Sequence, residues 1–348
     1  MNESMRAVVY DRVGERPRIE RVPMPQCPPD GAIVRVEATG VCRSDWHAWR
    51  GHDPVPLPQV PGHEFAGTVA EIGPLVRHVA VGVRVTAPFV NGCGACDWCR
   101  AGDAQVCPDQ TQPGFTHPGS FAEFVTIRAA DFNLVRLPDA VDPVTAAALG
   151  CRFATAFRAL TAHASVGQGT EVAVFGCGGV GLSTVMIAAA LGARVTAVDL
   201  SARALVRARG LGAAVTIHSA DPAREVVDAT GGGAHLSVDA LGSAATADAA
   251  VRSLRRRGTH VQVGLMLGAA ATAPLPWDRV IAWELRIAGS HGMAAAGYPP
   301  MLDLVASGRL RPGELVGSVV DMDGAIDALV AMNDPTGGAA DGIVVARP

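Results

Sequence analysis

Four cysteines fall within one short stretch of the sequence, GCGACDWCRAGDAQVC, with the spacing C-x2-C-x2-C-x7-C. They are Cys93, Cys96, Cys99 and Cys107. Four thiolates complete a tetrahedron around zinc and leave no open coordination position, so this spacing predicts a structural zinc site. An iron–sulfur cluster is the alternative that the Cys107-Pro108 pair suggests. The ferredoxin run, however, has a shorter interval before its last cysteine than this loop has.

A second set of possible metal ligands is spread over three segments of the chain. Cys42 lies in GVCRSDWH, His63 lies in PGHEFAG, and Cys151 lies in GCRFATAF. A catalytic zinc takes three protein ligands and keeps a fourth position open, and two cysteines with one histidine are a known ligand set. Taken singly, a buried cysteine is usually a small apolar residue and a histidine is usually packed or at the surface. The prediction of a catalytic zinc therefore depends on the combination.

A glycine-rich turn follows the strand-like run EVAVF and opens a helical stretch. In this context the pattern G-x-G-x-x-G predicts a dinucleotide site. The first glycine allows a tight turn, the second lets the backbone approach the pyrophosphate, and the third allows close packing of helix on strand. The residues of the turn are Gly176, Gly178, Gly179, Val180 and Gly181.

Asp199 ends the next predicted strand, where a carboxylate can accept hydrogen bonds from the adenosine ribose. This residue favours NAD over NADP, because a 2′-phosphate would meet a like charge. Arg203 is close enough in the sequence to keep NADP open as an alternative. A glycine-rich turn beside a surface aspartate, without any ligand, is the simpler interpretation, and the strand–turn–helix context disfavours it.

In this order, GVCRSDWH, PGHEFAG, the cysteine loop, GCR-FATAFRAL and GCGGVG resemble the zinc-containing alcohol dehydrogenases of the medium-chain dehydrogenase/reductase family. The resemblance covers essentially the whole chain. It implies a GroES-like β-barrel catalytic domain, an α/β Rossmann domain with a doubly wound parallel sheet, and an active site in the cleft between them. It also implies Cys42, His63 and Cys151 as the ligands of the catalytic zinc.

The same resemblance implies roles for the residues around that zinc. Asp45 would orient the imidazole of His63, and Glu64 would sit behind the metal. Ser44 and His47 match a proton relay that runs from the substrate hydroxyl through the cofactor ribose to solvent. The implied contacts are Arg43 at the cofactor pyrophosphate, Thr155 beside the nicotinamide, and Trp46 and Phe89 in the substrate pocket. For the two aromatic residues, plain core packing is an equal alternative.

Two positions depart from the family's pattern. Many relatives carry an arginine just before the final strand that reaches the pyrophosphate, where this chain has Asp341-Gly342. Arg152 follows Cys151, where a small or apolar residue is expected. Guanidinium groups bind carboxylates and phosphates through paired hydrogen bonds, so one hypothesis is that Arg152 favours an anionic group on the substrate or cofactor.

The predicted secondary structure that must position these residues differs between the two halves of the chain. From Met5 to about Ile127, short strand-like runs alternate with Pro- and Gly-rich connections, which predicts an all-β, loop-rich region. From Glu171 onwards, strand-like and helical stretches alternate, which predicts a parallel sheet covered on both faces. LRIAGS at 285–290 would be its last strand. The C-terminal stretch returns to β-like patterning and is expected to pack on the first domain.

A chain of 348 residues is long for a single core, so two domains are expected. We predict a catalytic domain of residues 1–153 and 292–348 that binds both zincs, and a Rossmann domain of residues 154–291.

Composition narrows the class of protein. The formal net charge of −4 provides no basic field for nucleic acid. All 29 Lys and Arg residues are arginine, which removes mechanisms based on a lysine Schiff base or general base.

The N-terminus lacks the pattern of a secretory signal. The uncharged run at 172–193 is better explained by a strand, a turn and a helix than by a membrane span. Eight cysteines in a chain expected to be cytoplasmic favour metal ligation over disulfides.

The sequence therefore predicts a cytoplasmic, zinc-dependent alcohol dehydrogenase with two zincs per chain. It would transfer hydride reversibly between a primary or secondary alcohol and NAD, with an alkoxide forming on the catalytic zinc. Alternatives are an NADP-dependent carbonyl reductase, a polyol dehydrogenase of the same family, or a redox-inactive binding protein on this scaffold. The expected partner is a small alcohol or carbonyl compound, with neither nucleic acid nor membrane. The family resemblance implies a homo-oligomer, with a tetramer favoured over a dimer.

Overall fold

The computed structural model describes residues 3–334 and 342–348, and within them it has three β-sheets. The strands are β1 Ser4–Val9, β2 Arg18–Pro23, β3 Ala32–Val41, β4 Glu64–Ile72, β5 Arg84–Thr86, β6 Phe124–Ile127, β7 Val135–Arg136, β8 Glu171–Phe175, β9 Arg194–Val198, β10 Val215–Ile217, β11 Ala234–Asp239, β12 Leu254–Gln262, β13 Arg286–Gly289, β14 Val316–Val320 and β15 Ile343–Ala346. The α-helices are α1 Arg43–Trp49, α2 Asp97–Arg100, α3 Ala130–Asn133, α4 Pro143–Ala147, α5 Ala154–Ala162, α6 Gly179–Ala190, α7 Ala202–Gly210, α8 Pro222–Ala229, α9 Ala244–Arg252, α10 Trp277–Ala282, α11 Tyr298–Ala306 and α12 Met322–Ala331. A π-helical turn, Leu149–Phe153, and short 3-10 helices, among them Ala104–Val106, connect these elements.

The six-stranded sheet has the order β10-β9-β8-β11-β12-β13, and all of its strand pairs are parallel. Its central strand β8 is buried over four consecutive residues, because helices cover both faces of a doubly wound sheet. The strand order reverses between β8 and β11, and ligands bind at such a reversal, outside the carboxyl ends of the strands. The doubly wound parallel sheet predicted from the sequence is confirmed.

The seven-stranded sheet has the order β14-β15-β3-β4-β5-β7, with β6 paired to β3. Most of its pairs are antiparallel, and only β14 and β15 run parallel. β15 brings the C-terminal part of the chain back to the N-terminal region, where Val345 pairs with Gly40. The predicted return of this stretch to the first domain is therefore confirmed.

Short helices interrupt both regions that were expected to be β-like. In the first region, α1 begins where the Asp45 carboxylate accepts the backbone N–H of Cys42 at 2.9 Å. In the C-terminal stretch, α12 begins where the Asp321 carboxylate accepts the N–H of Gly324 at 2.9 Å. The all-β expectation was wrong here. A capping residue marks the start of each helix, and in α12 the buried residues Met322, Ala325, Ile326 and Leu329 also repeat at helical spacing.

The uncharged run at 172–193 forms β8, the glycine-rich turn and α6, as predicted. Among residues 3–334 and 342–348, every helix is too short or too polar to cross a bilayer.

Candidate active site and metal centres

Two of the three predicted catalytic-zinc ligands lie at the ends of neighbouring strands. Cys42 directly follows β3, and His63 directly precedes β4. The two strands pair with each other up to Gly40 and Glu64, so the strand ends bring these ligands side by side. Both side chains are almost completely buried.

The His63 imidazole is held in one orientation by Asp45. Its Nδ1 lies 2.9 Å from the Asp45 carboxylate, which also accepts the backbone N–H groups of Cys42 at 2.9 Å and Gly62 at 3.0 Å. These bonds fix the position of the carboxylate. The carboxylate in turn fixes the imidazole ring, so that Nε2 of His63 points into the protein interior. That Nε2 is buried, and no hydrogen-bond partner for it exists within the described part of the chain. A buried ring nitrogen without a partner is the observation expected of a metal ligand.

Cys151 lies on the π-helical turn Leu149–Phe153, just before α5. π-Helical turns are rare and occur often at functional sites. The ligand atoms of Cys42, His63 and Cys151 all lie within 4.8 Å of one another. A hydrogen bond from the Cys151 thiol, helped by the charge of Arg152, lowers the pKa of Cys42 well below its usual value although burial opposes it. The two sulfurs and the free nitrogen are a donor set that fits zinc and leaves a fourth position open.

Glu64 forms a buried ion pair with Arg152. The guanidinium binds both carboxylate oxygens, with Nε 3.1 Å from Oε1, and the backbone N–H of Arg152 donates to Oε1 at 3.0 Å. Burial raises the pKa of Glu64 although the charge of Arg152 opposes this. The stem of Arg152 also packs against the glycine-rich turn, since a Cβ on Gly179 would lie 2.4 Å from its Cδ.

This pair corrects the hypothesis made for Arg152. The guanidinium is engaged by a carboxylate of the protein itself rather than held open for an anionic substrate. Removing its charge would leave Glu64 buried without a partner, which explains why a charged residue stands at this position.

The two residues of the predicted proton relay lie on α1. Ser44 and His47 are both half-buried. Burial, followed by the charges of His52 and Arg43, lowers the pKa of His47 to about 4. Its Nδ1 lies 3.1 Å from Nδ1 of the exposed His52. His47 is therefore neutral near pH 7, and the lowered pKa makes its ring a weaker base than an ordinary histidine.

The glycine-rich turn has the geometry that its sequence predicts. Gly176 has a φ of +91°, which side-chain-bearing residues rarely adopt. A Cβ on Gly181 would lie 1.7 Å from the carbonyl oxygen of Gly176, so only glycine allows this close packing of helix on strand. A Cβ on Gly178 would meet no atom within 4 Å, so this backbone borders open space suited to a pyrophosphate. Gly179 and Val180 begin α6 behind it.

Asp199 stands directly after β9 and beside the same turn. Its carboxylate accepts the N–H of Cys177 at 2.6 Å and the N–H of Ser201 at 2.7 Å. An acidic side chain is thus held at the carboxyl end of the strand, where a ribose is bound in this fold. Arg203 lies nearby on α7.

The other predicted contact residues are dispersed. Arg43 donates to the carbonyl of Met332 at 2.6 Å and lies over the Trp46 ring, 4.8 Å from its centroid. Thr155 is buried on α5. Trp46 donates to Asn333 at 3.0 Å, so it packs against the C-terminal region. The predicted pyrophosphate position at Asp341 lies outside the described residues.

Phe89 lies next to the catalytic cluster. Its ring is edge-on to His63, with centroids 5.9 Å apart, and to His291, with centroids 5.2 Å apart. Phe89 is therefore better placed than Trp46 to contact a substrate at the cluster.

The four-cysteine loop forms a second compact cluster. The sulfurs of Cys93, Cys96, Cys99 and Cys107 lie within 4.8 Å of one another. Helix α2 carries Cys99, and the 3-10 helix Ala104–Val106 delivers Cys107. Hydrogen bonds from the backbone N–H groups of Ala95 and Cys96 lower the pKa of Cys93 to about 7. Donors aimed at sulfur favour thiolates, and four sulfurs fit a closed zinc site.

Sequence reasoning missed two of the partners seen here. The Glu64–Arg152 pair joins residues far apart in the chain, and the unexpected charge beside Cys151 was the only signal for it. His52 was left unassigned, although its spacing from His47 on and after α1 could have indicated a contact.

A doubly wound dinucleotide sheet beside a cluster of two cysteines and one histidine defines an oxidoreductase that combines a nicotinamide cofactor with a metal. Family models match the chain as an alcohol dehydrogenase GroES-like domain over residues 28–139 and a zinc-binding dehydrogenase over residues 179–307. The chain belongs to the zinc-containing medium-chain dehydrogenase/reductase family, as its motifs predicted.

Individual relatives are similar over nearly the whole length. An alcohol dehydrogenase of Geobacillus stearothermophilus is 33% identical over 313 residues, which are 88% of this chain and 90% of the relative. The structure of an alcohol dehydrogenase from a Thermus species matches with a TM-score of 0.90 at 31% identity, covering 99% of both chains. A zinc-binding dehydrogenase of Sinorhizobium meliloti, solved with NADP, matches with a TM-score of 0.88 at 28% identity, covering 100% of both.

Proposed function

We propose that the chain is an NAD-dependent alcohol dehydrogenase that holds two zinc ions. The catalytic ion would be bound by Cys42, His63 and Cys151, and the structural ion by the four-cysteine loop. The proposal depends mainly on one observation. The unpartnered, buried Nε2 of His63 converges with two thiols to within 4.8 Å, next to a dinucleotide-type glycine turn.

Zinc bound there would act as a Lewis acid on the alcohol, and NAD would accept the hydride. The protein's own residues do the rest. Asp45 holds the His63 ring, and Phe89 covers one side of the cluster. The Glu64–Arg152 ion pair, which adjoins the ligands in the sequence, supports the cluster. Ser44 and His47, which lie on α1, would carry the alcohol proton towards solvent.

The first experiment is a metal analysis combined with turnover of an alcohol panel. We expect two zincs per chain, and reduction of NAD by at least one primary or secondary alcohol. Zinc content below two, or no reduction of NAD by any alcohol tested, would overturn the proposal.

Preference for NAD is proposed from Asp199, because its charge would repel a 2′-phosphate. A similar structure holds NADP, so the choice needs a direct test. We expect the ratio of kcat/KM for NAD over NADP to exceed one and to fall in Asp199→Asn. The exposed Asp323→Asn variant is the matched control and should leave the ratio unchanged. A wild-type preference for NADP would contradict this part.

We also propose a homotetramer in the cytoplasm. β13 forms one edge of the six-stranded sheet and leaves Ile287 36% exposed, and α10 before it exposes Trp277 and Ile281. An apolar strand edge favours pairing with a second copy. All eight cysteines are free, which suits a reducing compartment. Light scattering after gel filtration tests the assembly, and a mass of one chain or of two chains would refute the tetramer.

The domain division is proposed as residues 1–153 with 292–348, and 154–291. It is supported by the position of β8 to β13 in the six-stranded sheet and of β3 to β7, β14 and β15 in the seven-stranded sheet.

A further inference from the structure

Two imidazole rings that belong to neither cysteine cluster meet at the C-terminal end of α1. His47 lies in the last turn of this helix, and His52 follows it in the chain. Their Nδ1 atoms are 3.1 Å apart, so one ring donates a hydrogen bond to the other. His47 is half-buried and His52 is exposed, which leaves the pair open to solvent on one side.

The backbone at the end of α1 holds the two rings in this position. The N–H of His52 donates to the carbonyl oxygen of His47 at 2.9 Å, and the N–H of Gly51 donates to that of Ala48 at 3.0 Å. These bonds form a Schellman motif, in which Gly51 has the required positive φ of +76°. The Trp46 ring packs edge-on against both imidazoles, with centroids 5.0 Å from His47 and 5.1 Å from His52. The local fold therefore brings the two nitrogens face to face.

The separation of the two nitrogens fits two ligands of one metal ion. With metal–nitrogen bonds of about 2.0–2.1 Å, two ligands lie about 2.9 Å apart at a right angle and about 3.3 Å apart at the tetrahedral angle. The distance of 3.1 Å between the Nδ1 atoms lies between these values. The exposed His52 ring can rotate to direct its lone pair at the same ion as His47.

Imidazole nitrogens also select the kind of ion. They suit zinc, copper and nickel, whereas magnesium and calcium prefer oxygen ligands. Burial, followed by the charges of His52 and Arg43, lowers the pKa of His47 to about 4, so an ion meets a neutral ring at pH 7.

The surroundings limit the strength of such a site. Within residues 3–334 and 342–348, no third histidine, cysteine or acidic residue completes the pair into a three-ligand group. Water would fill the remaining coordination positions. The charge of Arg43, which acts on His47, opposes a bound cation. These features fit a reversible site that is weaker than the two cysteine clusters.

We propose that His47 and His52 form an additional metal site, which binds a divalent transition-metal ion and thereby inhibits the enzyme. An ion bound through Nδ1 leaves the single proton of the neutral His47 ring on Nε2. A ring in that state has no lone pair left to accept a proton from an alcohol, so the relay through His47 is blocked. The inhibition rests on the proposed function, whereas the binding of the ion does not.

Binding is tested by calorimetric titration of Ni²⁺ into untagged protein that already holds zinc, with zinc content measured afterwards to exclude exchange. We expect one further ion per chain. His47→Gln and His52→Gln should each weaken the affinity for Ni²⁺ at least about tenfold, because one of two protein ligands is lost. The exposed His218→Gln is the matched control and should keep the affinity. Absence of a further ion, or wild-type affinity in either ring variant, would overturn the inference.

Trp46 provides a second readout, because its ring contacts both imidazoles. Ni²⁺ bound between the two rings lies close to this indole and should quench its fluorescence. Trp46→Phe should lose the quenching, although the other four tryptophans remain. Quenching that persists unchanged in Trp46→Phe would locate the ion elsewhere and overturn the inference.

Inhibition is measured as the ratio of kcat with and without saturating Ni²⁺. We expect Ni²⁺ to lower the wild-type kcat at least about tenfold, since a proton acceptor is lost. His52→Gln should lose most of this inhibition at the same concentration of Ni²⁺. Equal inhibition of the wild type and of His52→Gln, or full activity with Ni²⁺ bound, would overturn the inhibitory role. If no alcohol is oxidised with either cofactor, the proposed function fails, and the calorimetric titration still decides whether the metal site exists.

Discussion

The two metal centres differ in how the chain assembles them. The four-cysteine loop takes all its ligands from one segment between Cys93 and Cys107, and the N–H groups that support its sulfurs come from the same segment. The catalytic cluster takes its ligands from the ends of two strands and from a π-helical turn. Its supporting groups lie in the same three segments but act between them, since Asp45 beside Cys42 holds His63, and Arg152 beside Cys151 binds Glu64. A local site can form once its loop closes, whereas the dispersed site requires the whole domain.

The largest effect should come from exchanging one ligand in each centre. Cys151→Ser should lower kcat/KM at least about a thousandfold, because several kcal/mol of charge stabilisation are lost. Cys96→Ser should mainly lower the Tm, since a closed zinc site contributes to folding. Each variant should lose one zinc per chain. If the two variants lost the same amount of activity and the same amount of Tm, the two centres would not have different roles.

The next effect concerns the buried ion pair behind the catalytic cluster. Arg152→Met should destabilise the fold by about 3–5 kcal/mol, because Glu64 is left as an uncompensated buried charge. Combining it with Glu64→Gln should recover much of that loss. Urea denaturation measures the free energy of unfolding, with the exposed Arg309→Met as control. An Arg152→Met variant as stable as the control would show that the pair does not support the site.

A smaller effect is expected at Asp45. Asp45→Asn keeps the shape of the side chain but removes the charge that orients His63, so affinity for one zinc should fall about 10- to 100-fold. Competition with a chelator should show that one zinc ion is bound more weakly and that the affinity for the other is unchanged. Weakening of both ions would mean that Asp45 acts on the fold and not on the catalytic cluster alone.

The smallest effect concerns protonation of His47. Its pKa of about 4 lies below the ordinary value of 6.5, so the ring stays neutral as pH falls from 7 to about 5. Protonation of His47 should therefore not lower the rate of alcohol oxidation between pH 7 and about pH 5. His47→Gln should lower kcat at least about tenfold, by the same factor at pH 5 and pH 7. The exposed His78→Gln is the control. A wild-type rate that falls with a midpoint near 6.5 and becomes pH-independent in His47→Gln would contradict the assignment.

Local patterns were the ones that sequence reasoning interpreted correctly. The glycine turn was predicted from spacing, and its geometry shows why, since Gly176 needs a positive φ and Gly181 needs room against a carbonyl. The return of the C-terminal strands was predicted from their alternation. Helix α1 was missed because its 7 residues are too few for an apolar repeat. Helix α12 was missed although Met322, Ala325, Ile326 and Leu329 repeat at helical spacing.

The sequence by itself determined the four-cysteine loop, the glycine turn and the division into a β-rich and a doubly wound region, because each depends on residues that are neighbours along the chain. Only the tertiary structure decided what Arg152 does and how the three catalytic ligands come together. Arg152 meets Glu64 across 88 residues of chain. Cys42, His63 and Cys151 converge only where the ends of β3 and β4 reach the π-helical turn. Burial and the lack of a partner are properties of packing, and residue types and spacing do not encode them.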